Sequence, residues 1–407
     1  MAIYTEMKDS GIDWIGEVPS HWAMHTLYQL VTQVKNKNKD LTEKNLLSLS
    51  YGKIKRKSIE TTEGLLPESF DGYNIIEDGD VVLRLTDLQN DHTSLRVGLA
   101  TERGIITSAY TTLRPSDNCI SKYMYYLLHT FDIRKGFYGM GSGVRQGLNY
   151  DEVKELRVIL PSLDEQQAIA AYLDEQCAII DEAIADAKAS IAEYNSWKQS
   201  IIFEAVTKGI NPNVEMKESR IDWIGCMPSH WNVLPLKYLC TMQAGKNLTS
   251  EQICETGQFP VYGGNGIRGY YSQSNYCGDY LLVGRQGALC GNVHKVTGNF
   301  WATEHAVVTQ NTERITLEFL FYLLLGMKLN QYASNSAAQP GLSVGTIQNL
   351  IAAIPPIDEQ RKIASYLEEK SHSIDKVIDE KQSLIGDLES YKRSLIYEAV
   401  TGKRKVE

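Results

Sequence analysis

Two stretches of the chain carry a helical spacing of apolar positions, and they are copies of one another. Residues 165–207 contain neither Pro nor Gly, and Leu173, Ile180, Ala187, Tyr194 and Ile201 recur with Cys177, Ile184 and Ile191 between them. Alternating steps of four and three are a heptad seam, which predicts a long helix with a partner. Pro161 followed by Asp164-Glu165-Gln166 supplies an N-terminal signal, and Gly209 supplies a stop. At about 1.5 Å per residue this helix spans roughly 65 Å. The second copy has Leu367, Ile374, Leu388 and Leu395 with Ile378 and Ile385, interrupted by Lys381. A lone helix of that length would leave its seam in water, so the two are expected to pair antiparallel with each other. Two separate helical hairpins are the alternative.

Elsewhere the apolar runs shorten. Asp80-Val-Val-Leu-Arg-Leu85 and Asp279-Tyr-Leu-Leu-Val-Gly284 each follow a glycine and predict strands. Residues 122–128 and 317–325 have helical spacing and predict core helices. Loops rich in Gly, Asn and Tyr separate them, the kind of segment where binding residues gather. The expected fold class is mixed α/β (α+β): two such domains separated by the paired long helices.

Internal repeats set the organisation. Asp9-Ser-Gly-Ile-Asp-Trp-Ile-Gly-Glu-Val-Pro-Ser-His-Trp22 returns as Glu218-Ser-Arg-Ile-Asp-Trp-Ile-Gly-Cys-Met-Pro-Ser-His-Trp231. Residues 160–209 return without a gap as 354–403, sharing Asp164-Glu-Gln166/Asp358-Glu-Gln360 and Glu204-Ala-Val-Thr207/Glu398-Ala-Val-Thr401. Gly147-Leu148 matches Gly341-Leu342 at the same offset. The material between, roughly 27–158 and 236–352, shares almost no sequence. The expected division is therefore 1–158, a box with a first variable domain; 159–209, a long helix; 210–353, a second box and domain; and 354–407, the second helix and tail. Four of the six tryptophans (14, 22, 223 and 231) lie in the boxes, which marks them as anchors to the scaffold.

Composition excludes several functions. With 407 residues, 43% of them hydrophobic and 22% charged, the chain has material for at least two cores and is not disordered. No apolar run approaches the roughly 20 residues of a membrane span, and no secretory leader is visible at the N-terminus. The seven cysteines are odd in number and form no C-x-x-C pair, so free thiols, no bound metal and a cytoplasmic location are expected. There is no phosphate-binding G-x-x-x-x-G-K-[ST], no nucleophile elbow and no H-E-x-x-H, so no catalytic residue is expected. Gly264-Asn-Gly266-Ile-Arg-Gly269 matches G-x-G-x-x-G literally, but its flanks favour neither the strand nor the helix that a dinucleotide site requires. It reads as a turn, and Gly139-Met-Gly141-Ser-Gly143 as a loop.

The formal net charge of −9 points away from nucleic acid until it is divided. Residues 27–158 hold 18 basic and 17 acidic side chains, and residues 236–353 hold 7 and 6. The excess acid lies in the long helices: 9 acidic against 2 basic over 159–207, and 10 against 7 over 358–402. Within the first variable domain, residues 31–57 contain eight Lys and Arg against two acids, and Lys53, Lys55, Arg56 and Lys57 crowd together as candidate phosphate contacts. Side chains able to pair with base edges collect in loops after the predicted strands. They are Arg84, Thr86, Gln89, Asn90 and Arg96 in the first domain, and Asn265, Arg268, Arg285, Gln286 and Asn292 in the second. Tyr51, Tyr262, Tyr270 and Tyr271 could pack on sugars or bases. Asn and Gln also serve turns, and charge runs also serve as solvated faces, so these are candidates only.

The Ile12-Asp-Trp-Ile-Gly16…Pro19-Ser-His-Trp22 box, the Gly-Leu and Asp-Glu-Gln junctions, and two repeats flanking dissimilar domains resemble the specificity subunit of type I restriction–modification systems. The resemblance covers essentially the whole chain. It implies a non-catalytic subunit in which each variable segment reads one half of a split, asymmetric target in double-stranded DNA. The paired helices would fix the spacer between the halves. Two methyltransferase subunits carrying S-adenosylmethionine would dock on the conserved regions and methylate adenine, and two restriction/translocase subunits using ATP and Mg would join for cleavage. No cofactor is expected on this chain itself. A stand-alone duplicated DNA-binding protein and a coiled-coil adaptor for proteins remain as other readings.

Overall fold

The computed structural model describes residues 4–59, 69–88, 90–91, 93–140, 147–287, 289–334 and 341–406. Six α-helices occur among them: α1 (Ser121–Ile133), α2 (Tyr150–Val153), α3 (Leu163–Lys208), α4 (Leu317–Gly326), α5 (Val344–Gln348) and α6 (Ile357–Val400). The heptad runs are thus single helices of 46 and 44 residues. By contact the chain forms two compact units, one of Met1–Asp186 with Ser383–Glu407 and one of Ala187–Gln382. Each unit therefore contains part of α3 and part of α6.

In the first unit a four-stranded antiparallel sheet has the order Val31–Gln33, Thr111–Pro115, Val81–Leu83, Val97–Leu99. Alternation places Val81 and Leu83 on the face covered by α1, with Tyr123, Met124 and Leu127 in the same core. Val82 faces the other way, into a smaller core with Leu47, Leu49 and Ile106. In the second unit the order is Cys240–Ala244, Ala306–Asn311, Tyr280–Gly284, Val293–Val296, again antiparallel, with α4 against it. The two variable segments, nearly devoid of common sequence, build the same sheet in the same strand order. Both predicted strands lie third in that order. A two-stranded pair closes each sheet onto the long helices: Ala23–Thr26 with Arg157–Leu160, and Asn232–Pro235 with Ile351–Ile354.

The shared boxes hold the ends of the long helices. In the first unit, Glu165 in the opening turn of α3 accepts from the Trp22 indole (3.2 Å) and from Ser162 Oγ (2.8 Å), and its carboxylate lies 2.8 Å from His21 Nε2. Gln166, fully buried, has its amide nitrogen on the carbonyls of Pro161 and Asn118, and its amide oxygen receives the N–H of Ile120, the N-cap of α1. The second unit repeats this. Glu359 lies 2.8 Å from His230 Nε2, and buried Gln360 joins Pro355, Arg314 and Thr316, the N-cap of α4. Trp22 and Trp231 are both fully buried. Each sits on the glycine that follows the end of a long helix: Gly402 (φ +71°) for Trp22 and Gly209 (φ +78°) for Trp231. A β-carbon on Gly402 would stand 2.2 Å from Pro19, so glycine is needed there for space as well as for its left-handed backbone.

Along the helices, Leu173, Cys177, Ile180 and Ile184 share a core with Leu395, Ile396, Ala399 and Val400 in the first unit. Ile202, Ala205 and Val206 share one with Ile363, Ala364 and Leu367 in the second. Lys392 Nζ bonds the Asp181 carboxylate (2.6 and 2.7 Å), and Lys198 bonds Asp375 (2.7 and 2.6 Å). These pairs occupy corresponding repeat positions in the two units. Lys381, the interruption in the seam, places its ammonium 5.9 Å from the Tyr194 ring centroid, where a cation is held against a π face.

Burial alone would raise the Glu165 carboxyl, but the bonds from His21, Ser162 and Trp22 outweigh it and hold the group at about 2, against 4.5. Its contribution is present above the ordinary value and is lost as pH falls from there toward the lowered one. Glu165→Gln is expected to cost about 1–2 kcal/mol in urea unfolding at neutral pH, with the deficit shrinking as pH falls from 4.5 to 2. Glu359→Gln should cost less, because the Trp231 indole N–H makes no hydrogen bond among the described residues.

Candidate nucleic-acid interface

In the first domain the tip of a basic hairpin meets the loop that carries candidate base readers. The chain from Leu47 to Arg56 is a hairpin turned by Tyr51 (φ +48°) and Gly52 (φ +75°), the positive pair of a type I′ turn. Lys53 and Lys55 lie opposite Ser50 and Ser48, exposed, whereas Ile54 faces Leu49 and the core. Tyr51 at the tip is 75% exposed. The hairpin is seated on the loop 84–96 that joins two central strands: Gly52 lies so close to Leu95 that a β-carbon would be 3.0 Å from it. Arg56 points to the other face of the hairpin and forks onto Glu102. Its charge is matched within the domain, so among the described residues Lys53, Lys55 and Lys57 are the unmatched members of the basic cluster.

On the loop itself Thr86, Asp87 and Asn90 are exposed, and Asn90 donates to Asp87 (2.8 Å), whose backbone is left-handed (φ +58°). Arg84 stands 3.8 Å from the Asp91 carboxylate. Hydrogen bonds from the side chain and amide of Ser94 hold that carboxylate well below the usual range. Gln89 lies outside the described residues. Arg96, expected to reach a base, does not. It is fully buried, and its guanidinium is spent on loop carbonyls and on Tyr138 Oη. The reason is local: the loop turns its carbonyls inward, and only a multi-donor cation satisfies them there.

In the second domain the G-x-G-x-x-G residues form the turn and outgoing strand of a hairpin, Phe259–Gly263 with Gly266–Tyr271, and the next element is a strand, Tyr276–Cys277, rather than a helix. The turn packs on the loop 285–292, with Gly264 and Gly284 so close that a β-carbon on Gly284 would meet the Gly264 carbonyl at 2.2 Å. This contact brings Asn265 to Asn292 (2.7 Å) beside Arg285 and Gln286. Arg268 is exposed on the outgoing strand, and Tyr262, Tyr270 and Tyr271 are half-buried beside it. Tyr262 packs edge-on against Phe300 and Tyr271 against Trp301.

The loops 84–96 and 285–292 are equivalent: each joins the third strand of the sheet to the fourth. The shared Gly-Leu pair closes against both. Leu148 N–H donates to the Leu85 carbonyl (2.8 Å) and Leu342 N–H to the Arg285 carbonyl (2.9 Å). A cavity opens at each place. One, of about 520 Å³, is lined by Thr86, Asp87, Asn90 and Gly147. The other, of about 380 Å³, is lined by Arg285 and Gln286 with Tyr332, Ser334 and Gly341 among others. Sequence reasoning missed Tyr332 and Ser334. It also missed His305, whose Nδ1 lies 2.8 Å from Gln286 Oε1. The repeated Gly-Leu is the one signal that points to this place.

Two segments, residues 19–191 and 228–382, match the family described as type I restriction modification DNA specificity domain. Together they cover well over half of the chain, and each contains one of the two equivalent four-stranded sheets. The chain belongs to the type I restriction–modification DNA specificity family. Among similar members, the specificity subunit of the Escherichia coli EcoprrI enzyme is 47% identical over 131 residues, which span 31% of this chain and 32% of that one. The putative MjaX specificity subunit of Methanocaldococcus jannaschii is 24% identical over 96% of both chains. A solved chain of a type I R-M system, at 15% identity, has the same fold, with a TM-score of 0.69 over 94% of this chain and 98% of that one. The two-domain repeat is thus a family architecture, and this specificity subunit carries its variable residues on the equivalent loops of a common sheet. Among the described residues no helix is long and apolar enough to cross a membrane.

Beneath the first loop, Asp132 is buried and accepts the Arg96 N–H at 2.6 Å, while its second oxygen has no hydrogen-bond partner among the described residues. Burial pushes its carboxyl up from 3.8 to about 6. The sign follows: stability is full below the ordinary value and is lost as pH rises through the raised one. Asp132→Asn is therefore expected to flatten the fall in unfolding free energy between pH 4 and 6, by no more than about 3 kcal/mol in total, in urea titrations across that range.

Proposed function

We propose that the chain is the sequence-reading, non-catalytic subunit of a type I restriction–modification assembly, each variable domain reading one half of a bipartite, asymmetric target in double-stranded DNA. One observation carries this. Two domains of identical strand order present unlike side chains from the equivalent loops: Arg84, Thr86 and Asn90 in one, Arg285, Gln286 and Asn292 in the other. A common scaffold with different readers is what two different half-sites demand. Lys53 and Lys55, on the hairpin whose tip meets the first loop, and Lys57 just after it supply phosphate contacts.

The partners follow from the repeat. Two copies of the box and helix junction offer two equivalent surfaces, which suits two methyltransferase subunits. S-adenosylmethionine, ATP and Mg belong to the methyltransferase and to two restriction/translocase subunits, and this chain works in the cytoplasm without a cofactor of its own. α3 and α6 set the number of unread base pairs between the half-sites.

Selection of duplex DNA from a random pool tests the reading: a motif with a fixed gap is expected, and enrichment without any gapped motif overturns it. Replacing Lys53, Lys55 and Lys57 by Gln should weaken binding to every sequence and reduce the slope of log K against log salt by about 2 to 3, whereas Arg56→Gln alone should change it little. Inserting four residues beside Ala185 should alter the gap and leave both half-sites unchanged, read by the same selection.

A further inference from the structure

The first reading loop, residues 84–96, is longer than its counterpart at 285–292, and most of its described residues have no strand partner. Long loops pay ordering entropy and present side chains precisely only when something holds them. Here one side chain gathers more of the loop's carbonyls than any other among the described residues. Arg96 Nη1 donates to the carbonyls of Arg84 (3.2 Å) and Thr86 (2.7 Å), Nη2 to those of Asp87 (3.2 Å) and Asp91, and Nε to Tyr138 Oη (3.0 Å). All five guanidinium donors therefore have acceptors, four of them backbone carbonyls of the loop. Tyr138 Oη in turn donates to the Asp91 carbonyl (3.0 Å), and its ring lies under the guanidinium, 5.1 Å from centroid to Cζ. The Arg96 backbone N–H is fixed by Asp132 of α1, and its carbonyl accepts the Arg84 N–H at 2.8 Å. The hub is fully buried, so Arg96 itself touches nothing outside the domain.

We infer that Arg96 is a positioning residue for specificity: it sets the loop that carries Thr86, Asp87 and Asn90 and thereby decides which base edges the first domain accepts. Lysine cannot replace it, since one ammonium with three donors does not span four carbonyls that face it from different directions. Among the described residues the second domain has no such hub, and its shorter loop is closed by the Gly264–Gly284 contact and the Asn265–Asn292 bond. The inference rests on the DNA-reading function proposed above, and it predicts an asymmetry that the function alone does not: one half-site depends on a buried arginine and the other does not.

The test is selection from random duplex DNA by the full chain and by Arg96→Met, Arg96→Lys and Tyr138→Phe, with Gln286→Ala as the marker for the second domain. Arg96→Met is expected to blur one half-site, lowering discrimination against single-base changes there about ten-fold or more, while the other stays within about two-fold of the parent. Arg96→Lys should remain blurred, and Tyr138→Phe, which keeps the ring and loses one bridge, should show a smaller effect at the same half-site. Gln286→Ala should affect the opposite half-site. Binding to non-cognate duplex should be unchanged in the Arg96 and Tyr138 variants, a readout that a loss of folding would move. Two sharp half-sites in Arg96→Met, or equal blurring of both, would overturn the inference and leave the DNA-reading function standing. If the parent chain enriches no gapped motif, that function fails first.

Discussion

Each unit is organised around a buried glutamine amide in the opening turn of a long helix. Gln166 and Gln360 each tie the strand end just before the long helix to the short turn, remote in sequence, that leaves the sheet and caps the core helix. A buried amide with both its oxygen and its nitrogen satisfied has one geometry that fits and a large penalty for any other. The adjoining glutamate repeats the logic at the surface, drawing in the box histidine in both units and the Trp22 indole in the first. The orientation of a variable domain on its helix is thereby fixed by two consecutive side chains. The rest of the domain is free to change so long as it delivers a carbonyl and an amide to that glutamine.

This separation explains how one chain holds two domains of the same strand order with almost no common sequence. The sheet needs only alternating apolar positions and strand ends that meet the Gln hub, and many sequences satisfy that. The loops between the third and fourth strands lie outside those constraints. One is long and built around an internal cation, and the other is short and closed on glycines.

What the residues reveal on their own divides along the same line. The long helices are legible because heptad spacing is a local signal sustained over many turns, and the repeat because it is an identity between two parts of one chain. The strands at 80–85 and 279–284 are legible as short apolar runs after glycine. The candidate interface is legible as residue types, and the place of each side chain in the fold is not. Arg96 has the character of a reader because its type suits guanine, and nothing nearby in sequence shows that Arg84, Thr86, Asp87 and Asp91 turn their carbonyls toward it. Arg56 belongs by sequence to a basic run, and the glutamate that matches it is Glu102, beyond three intervening strands. Lys381 reads as a break in a seam, and only the fold places the Tyr194 ring beside it. For Arg56 and Lys381 the deciding partner is close in space and remote in the chain, and for Arg96 it is the direction of carbonyls. Pattern and propensity report neither.

The two units also differ in how the polypeptide is routed. The second is one continuous stretch, whereas the first is completed by Ser383–Glu407, whose Lys403 bonds the carbonyls of Ile15 and Glu17 and whose Tyr397 reaches Trp14 and Ile15. Closing a loop that large is entropically expensive and slow compared with local closure. On the ribosome, the domain made first is therefore the domain finished last: the Gly402 seat of Trp22 and the α6 partners of Leu173, Ile180 and Ile184 are missing until all of Ala187–Gln382 has been synthesised. During that interval its apolar surface is open to whatever else will cover it, and the time of assembly, as much as the final stability, falls under selection.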